Sequence, residues 1–172
     1  MKEKECSMKK GLLISIFSLL ILIIIGSVII YFSSTSPIKR GEETAVERAK
    51  AETDLTEVNS IEWFHYLDKY YVITGKNDNG EKIHVWVPED DKKEVLVKNA
   101  KEGLSEEEVI HIIQNGLDDF SSEKRPKKII SIKLGMVEDA PAYEITYKDR
   151  KNRHSILYLD FYNGDWYRVY NL

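Results

Sequence analysis

One uninterrupted apolar stretch constrains this chain more than any other feature. The 21 residues from Leu12 to Phe32 read LLISIFSLLILIIIGSVIIYF and include no charged side chain. Charges stop at Lys10 and resume only at Lys39. At about 1.5 Å per residue, a helix of this length spans roughly the 30 Å hydrocarbon core of a bilayer. The stretch therefore predicts a transmembrane helix at residues 11–32, preceded by a short tail at residues 1–10.

The length of the run also bears on whether it is removed after export. Secretory signal peptides have apolar cores of about 7–15 residues, which are shorter than this one. Ser34-Thr35-Ser36 resembles a cleavage site, but Pro37 follows it directly and makes the context unfavourable. We expect an uncleaved membrane anchor, and a cleaved signal peptide is the alternative.

The placement of positive charge predicts the orientation of this anchor. Lys9 and Lys10 adjoin the apolar run, whereas six neutral residues separate Phe32 from Lys39. Basic residues next to a membrane helix favour the cytoplasmic side. We expect a single-pass protein of the cell membrane with a cytoplasmic N-terminus and an extracytoplasmic C-terminal part.

The part beyond the anchor is mildly acidic and mixed in sign. Four of the 25 basic and two of the 29 acidic residues precede the run, which leaves 21 and 27 beyond it, a net charge of −6. A nucleic-acid partner calls for a basic face, so this balance argues against one. The single cysteine, Cys6, lies before the anchor and excludes an internal disulfide. The exported part must therefore be stabilised by its own core.

The exported part contains two copies of one α+β pattern. Each copy opens with a capping box, at Thr44–Glu47 and at Ser105–Glu108, and continues as four strand-like runs. The runs are at 58–67, 70–75, 83–87 and 94–97, then at 129–136, 142–147, 155–161 and 166–170. We predict a spacer at 33–41, a first helix-plus-antiparallel-meander repeat at 42–100 and a second at 101–172.

A single offset aligns three strands of the two copies. A shift of 72 residues places Tyr71-Val72-Ile73-Thr74 on Tyr143-Glu144-Ile145-Thr146. The same shift places Val85 on Leu157 and Val97 on Val169. Units of about 60 residues rarely fold alone, so we expect the two repeats to pack together.

Strand alternation then predicts which residues share a face of the second sheet. Tyr143, Ile145, Tyr147, Leu157, Leu159, Phe161, Tyr167 and Val169 would lie beneath the helix. The opposite face would carry aromatic side chains among charges, a composition typical of protein-binding surfaces. The candidate partner-binding residues are Tyr158, Tyr162, Trp166, Arg168 and Tyr170, with Trp86 at an equivalent place in the first repeat. The alternative is that these rings form cross-strand ladders or are covered by the other repeat.

No motif in the chain predicts catalysis. His65, His84, His111 and His154 lie outside any metal-binding spacing, and each is expected to be an ordinary surface or half-buried residue. The chain has no nucleophile motif and no glycine-rich phosphate loop. We predict that it is not an enzyme, and that it has no cofactor, metal ion or small-molecule substrate.

Several short motifs resemble known families. The second repeat is similar to the PepSY pattern in Ala142–Tyr147 and Leu159–Gly164, which read AYEITY and LDFYNG. The chain as a whole, about residues 10–172, resembles the TseB/YpmB family of Gram-positive bacteria. The matching segments are Glu52-Thr53-Asp54-Leu55, Tyr70-Tyr71-Val72, Val85-Trp86-Val87-Pro88 and Lys101-Glu102-Gly103-Leu104-Ser105-Glu106.

The resemblance implies a function that the residues alone do not. Members of this family are described as regulators of cell-wall elongation, tethered to the membrane and associated with an elongation-type penicillin-binding protein. They have no known catalytic activity, and their repeats are PepSY-like, a fold related to cystatin. PepSY domains have also been proposed to inhibit peptidases, which supplies the alternative function of an extracytoplasmic protease-inhibitory or other protein-binding module.

Overall fold

The computed structural model describes the backbone of residues 2–117 and 120–171. Side chains are described in the same ranges, apart from those of residues 2–16, 29–37 and 116. The chain divides into two compact units, residues 1–43 and residues 44–172. The second unit contains both repeats.

The first helix, α1, is continuous over Lys2–Glu52. The predicted helix start at the Thr44–Glu47 capping box is therefore wrong, and the predicted spacer at 33–41 is helical. Extending an existing helix by one residue costs far less than nucleating a new one, so a capping sequence inside a helix need not begin it. The helix ends at Glu52, and the hydroxyl and backbone N–H of the next residue, Thr53, both donate to the carbonyl of Ala49, at 2.6 and 2.9 Å.

Among the residues that the structure describes, no helix is both long and apolar enough to cross a membrane. The anchor predicted at residues 11–32 includes residues 11–16 and 29–32, whose side chains lie outside the described set. The transmembrane anchor therefore stays a prediction.

Residues 44–172 form an α+β structure of two four-stranded antiparallel sheets, as the sequence predicts. The strands of each sheet follow one another in chain order, β1-β2-β3-β4 and β5-β6-β7-β8. The first sheet consists of β1 (Leu55–His65), β2 (Lys69–Asn77), β3 (Lys82–Pro88) and β4 (Leu96–Asn99). A 3-10 turn (Ala100–Glu102), helix α2 (Glu106–His111) and a π-helical continuation (Ile112–Gly116) lead to the second sheet. That sheet consists of β5 (Pro126–Val137), β6 (Ala140–Asp149), β7 (His154–Asp160) and β8 (Trp166–Asn171).

The two sheets have the same strand register, which confirms the 72-residue offset. Ile73 pairs with Val85 in the first sheet, and Ile145 pairs with Leu157 in the second. The next pair of strands repeats this, with Val85 opposite Val97 and Leu157 opposite Val169. The first strand of each sheet follows an offset of 71 instead, and its register shifts at Val58/Ser60 and Ile129/Ser131 also correspond.

The last turns of helix α1, residues 44–52, cover one face of the first sheet. Ala45 and Ala49 are buried against a cluster that includes Ile73, Val85 and Val87. Alanine at both positions lets the helix approach the sheet closely, because no long side chain holds the two apart. This explains why a sparse apolar stripe is enough to cover the sheet.

Helix α2 covers the corresponding face of the second sheet. The predicted capping box is present, with Glu108 accepting from the backbone N–H of Ser105 at 2.8 Å and the Ser105 hydroxyl accepting from the N–H of Glu108 at 3.3 Å. Val109, Ile113 and Leu117 are buried in the core beneath it. These buried positions extend through the π-helical turn, so the apolar face of the helix is longer than its α-helical part.

The other face of the first sheet is buried against the second repeat, with Trp86 at the centre of the contact. Its side chain is fully buried, and its indole N–H donates to the carbonyl of Gly135 on β5 at 2.8 Å. The ring also meets Phe161 edge-on at 5.6 Å. The expectation that Trp86 belongs to an exposed face is therefore wrong, and the alternative that the other repeat covers it is confirmed.

Because Gly135 has no side chain, it leaves room for a second contact from the first repeat. A Cβ at this position would lie 2.3 Å from the Cε2 atom of Phe64, which packs on it from the first repeat. The absence of a side chain lets the edge of β5 enter the face of the first sheet.

We expect Gly135→Ala to lower the free energy of unfolding by about 1–3 kcal/mol, the usual cost of overpacking a well-filled core. Urea unfolding of the full-length protein, followed by tryptophan fluorescence, measures it. Lys128→Ala, at an exposed position on the same strand, is the matched control. Equal stability of the Gly135→Ala variant and the control would contradict the packing described above.

The hairpin turn after β6 depends on a buried carboxylate. Asp149 is fully buried, and its oxygens accept from the backbone N–H and the Nε of Arg153, both at 2.8 Å. In the first repeat the equivalent Asn77 accepts from the backbone N–H of Glu81, also at 2.8 Å. Burial acts to raise the pKa of Asp149, but the hydrogen bonds and charge of Arg153 outweigh it and lower the pKa.

A carboxyl group with a lowered pKa in the folded state stabilises the protein above its unfolded-state pKa of about 3.9. That contribution is lost as the pH falls through the folded-state pKa. We expect Asp149→Asn to lower Tm at pH 7, with the difference from wild type shrinking at pH 3. Thermal unfolding at the two pH values tests this, with Asp78→Asn in the equivalent turn of the first repeat as control. A Tm difference that does not change with pH would show that the charge is unimportant.

Candidate functional site

The most exposed aromatic side chains of the second repeat lie on and beside its last strand. Tyr162, Trp166, Tyr167 and Tyr170 are each 39–42% exposed, and Arg168 among them is also exposed. We call these five residues the β8 surface. Among the described residues, strand β8 pairs only with β7 and ends the sheet, so one of its backbone edges is unpaired.

A β-bulge divides the β8 surface between the two faces. Tyr158 pairs with Arg168 but Leu159 pairs with Trp166, so Tyr167 is the extra residue. A bulge shifts the alternation by one residue. Trp166 therefore turns toward the helix side, where its ring meets Phe120 edge-on at 5.5 Å. The predicted placement of Trp166 on the face opposite the helix is wrong.

Tyr167 is displaced by the same bulge. The sequence places it beneath the helix, but its side chain is exposed and its hydroxyl donates to the carboxylate of Asp160. Partial burial and the neighbouring Asp160 carboxylate both raise the pKa of Tyr167. The residue belongs to the exposed aromatic set, and sequence alternation alone missed it because the bulge leaves no simple sequence signal.

Tyr158, by contrast, is buried where the sequence predicts exposure. Tyr66 of the first repeat covers it with ring centroids 5.2 Å apart, and Tyr170 adds an edge contact at 6.2 Å. The Tyr158 hydroxyl donates to Glu144 at 2.7 Å. Burial, together with this hydrogen bond, raises the pKa of Tyr158. The ring is part of the contact between repeats, which corrects its assignment to the partner-binding set.

Tyr66 also forms hydrogen bonds with side chains at the exposed end of this face. Its hydroxyl accepts from Arg168 at 2.8 Å and lies 3.2 Å from the hydroxyl of Tyr170. Arg168 reaches Glu138 at 3.6 Å. Arg168 and Tyr170 are thereby brought together as predicted, in a network held by the first repeat. Tyr162 stands apart, stacked edge-on against Phe161 with the ammonium group of Lys98 5.8 Å from its ring centre.

A second candidate site is a cleft of about 730 Å³ between the repeats. We call it the inter-repeat cleft. One wall is the face of β1–β3 opposite α1, and the other is formed by β5, Tyr143 of β6 and the start of α2. Its lining includes Glu62, Thr74, Lys82, His84, Lys101, Glu106, Ile132, Lys133 and Leu134.

His84 lies in this cleft with only 6% of its surface exposed. Its Nδ1 lies 2.9 Å from the hydroxyl of Thr74. Burial and the nearby charge of Lys82 lower the pKa of His84 to about 4, so the ring is neutral at pH 7. The sequence had suggested a surface or half-buried histidine, and the structure buries it.

The described part of the chain contains no set of side chains arranged as metal ligands. No group of three or more His, Cys, Asp or Glu side chains within it could hold a metal ion. The charged residues of the cleft are of mixed sign rather than a cluster of carboxylates. The lining of the cleft is therefore suited to bind polar groups.

Comparison with known proteins places the chain in a family. The probable cell wall elongation regulator TseB of Bacillus subtilis (strain 168) is 35% identical over 158 residues, which cover 91% of this chain and 94% of that protein. The chain belongs to the TseB family. A family model described as the cell wall elongation regulator TseB-like domain matches residues 44–88.

A solved structure supports the same relationship. The YpmB protein from Bacillus subtilis superposes with a TM-score of 0.68 at 34% identity, covering 76% of this chain and 96% of that one. The segment matched by the TseB-like domain model runs from the end of α1 through β3. It therefore includes Trp86 and one whole wall of the inter-repeat cleft.

We expect Tyr158→Ala to lower the free energy of unfolding by about 3–5 kcal/mol, because it removes a buried aromatic ring from the contact between repeats. Urea unfolding of the full-length protein measures this. Trp166→Ala, which removes a ring that is 41% exposed, should cost clearly less. A Tyr158→Ala variant no less stable than Trp166→Ala would contradict the burial of Tyr158.

Proposed function

We propose that this protein is a membrane-anchored, non-enzymatic regulator of cell-wall elongation that binds an elongation-type penicillin-binding protein outside the membrane. The observation that carries the proposal is the 35% identity to the Bacillus subtilis protein named as a probable cell wall elongation regulator. That similarity extends over nearly the full length of both chains, so it includes the N-terminal segment as well as the repeats.

The exposed chemistry of the second repeat supports a protein partner. Trp, Tyr and Arg are the residue types that dominate the binding energy of protein interfaces, and the β8 surface consists of these types alone. Strand β8 is also an end strand, which offers a partner unpaired backbone groups beside the aromatic rings. We assign the docking of the penicillin-binding protein to the part of this surface that contains Trp166 and Tyr167.

A regulatory rather than catalytic role fits the available side chains. The buried histidine of the cleft is neutral and hydrogen-bonded to a threonine, and neither a carboxylate nor a cysteine is hydrogen-bonded to it among the residues that the structure describes. Regulation by binding requires only a stable scaffold and an accessible surface. The closely packed repeats and the β8 surface supply these.

Crosslinking on intact cells tests partner and orientation together. The full-length tagged protein is treated with a membrane-impermeant, amine-reactive crosslinker, and the captured proteins are identified by mass spectrometry. We expect a penicillin-binding protein to be recovered from wild type. We expect recovery to fall about tenfold or more in a Trp166→Ala, Tyr167→Ala double variant, since hot-spot residues contribute about 2 kcal/mol each.

Leu67→Ala is the matched control, because Leu67 is an apolar side chain 72% exposed outside the β8 surface. Failure to recover any penicillin-binding protein from a folded, crosslinkable wild-type protein would overturn the proposal. Recovery of a peptidase instead, with inhibition of that peptidase by the purified protein, would favour the alternative of a protease-inhibitory module.

A further inference from the structure

The inter-repeat cleft meets the second sheet at a strand edge. Three successive residues of β5, namely Ile132, Lys133 and Leu134, line the cleft. Successive side chains of a strand point to opposite faces, so a cavity lined by all three adjoins the edge of the strand rather than one face. Strand β5 ends its sheet and, within the part of the chain that the structure describes, pairs only with β6. On its other side β5 approaches β1 and β2 of the first sheet, and the cleft lies where these strands face one another.

Four charged side chains of the cleft lining, two acidic and two basic, form no ion pair with any residue that the structure describes. Glu62 and Lys133 are both exposed and line it from facing repeats, yet neither forms an ion pair with any residue that the structure describes. Lys82 and Glu106 are likewise exposed and unpaired among these residues. A ligand that carries one carboxylate and one ammonium group would complement such a lining.

A mostly buried histidine lies in the same cavity, and no fully buried side-chain nitrogen or oxygen among the described residues lacks a hydrogen bond, so the nitrogen of this ring that has no partner is accessible. His84 is only 6% exposed, and its Nδ1 is occupied by the Thr74 hydroxyl. Its Nε2 has no hydrogen-bond partner within the described part of the chain. A nearly buried imidazole with one free nitrogen in a lined cavity is suited to hold a peptide amide or carboxylate.

We propose that the inter-repeat cleft binds a short, extended, zwitterionic peptide, and that this peptide is a stem peptide of the bacterial cell wall. The identification of this ligand as a stem peptide rests on the proposed function, because a regulator of wall elongation acts where such peptides are exposed. The volume of about 730 Å³ falls within the usual range of small-ligand sites, about 300–1,000 Å³. A protein segment fits less well, because the cores of protein interfaces are depleted of charge.

Titration of the full-length protein with a synthetic stem pentapeptide, L-Ala–γ-D-Glu–L-Lys–D-Ala–D-Ala, tests the proposal by calorimetry. We expect saturable binding that is lost when the peptide's amines are acetylated and its carboxylates amidated. Glu62→Gln and Lys133→Gln should each weaken binding about tenfold. Glu47→Gln and Lys128→Gln, which remove exposed charges outside the cleft, should leave it unchanged.

A peptide of the same composition, with only L residues and α linkages, distinguishes a wall stem peptide from a protein segment as the ligand of the cleft. Weaker binding of this peptide supports a wall stem peptide, whereas equal or tighter binding would overturn that source in favour of a protein segment. No binding of the stem pentapeptide, or equal binding by the cleft variants and their controls, would overturn the site itself.

The crosslinking experiment on the same variants keeps this inference separate from the proposed function. Glu62→Gln and Lys133→Gln should still recover the penicillin-binding protein, because they leave the β8 surface intact. Recovery of that partner without peptide binding would overturn only the cleft proposal. Peptide binding without recovery of the partner would count against the proposed docking alone.

Discussion

The burial of Trp86 against the edge of β5 is the contact on which the rest of this fold depends. Without it, the face of the first sheet opposite α1 would expose Val72 and Trp86 to water. The indole N–H also needs a partner once the ring is buried, and the carbonyl of Gly135 supplies it. The absence of a side chain at Gly135 leaves room for Phe64 beside this hydrogen bond, and the two contacts together fix how the repeats meet.

The two repeats share a register but differ in what covers them. Trp86 and Tyr158 occupy equivalent positions 72 residues apart, and each is buried by the other repeat, Trp86 by Gly135 and Phe161, Tyr158 by Tyr66. Both positions are buried, but by different kinds of contact, Trp86 against a strand edge and Tyr158 beneath the ring of Tyr66. That asymmetry leaves a cleft on one side of β5 and an exposed last strand at the far end of the sheet order.

These two features differ in the chemistry that each can recognise. The β8 surface presents large rings and an arginine held by hydroxyl groups, which suits a protein partner. The inter-repeat cleft presents unpaired charges of both signs beside a neutral buried histidine, which suits a small zwitterionic ligand. The proposed docking surface and the proposed peptide site are therefore separate parts of the molecule.

The sequence by itself determined the α+β class, the eight strands, the capping box of α2 and the 72-residue register, because each follows from local periodicity and turn chemistry. The same reasoning placed Arg168 and Tyr170 together, because nothing disturbs the alternation between them. It failed for Trp166 and Tyr167, where a single bulge residue reversed the faces, and for the start of α1, where a helix simply continued.

Only the tertiary structure decided that Trp86 and Tyr158 are buried and that a charged cleft lies between the repeats. Both depend on how one sheet meets the edge of the other. Alternation along a strand states which side chains share a face, but it carries no information about what covers that face. That is fixed by contacts between residues far apart in the chain, such as Trp86 with Gly135 and Tyr66 with Tyr158.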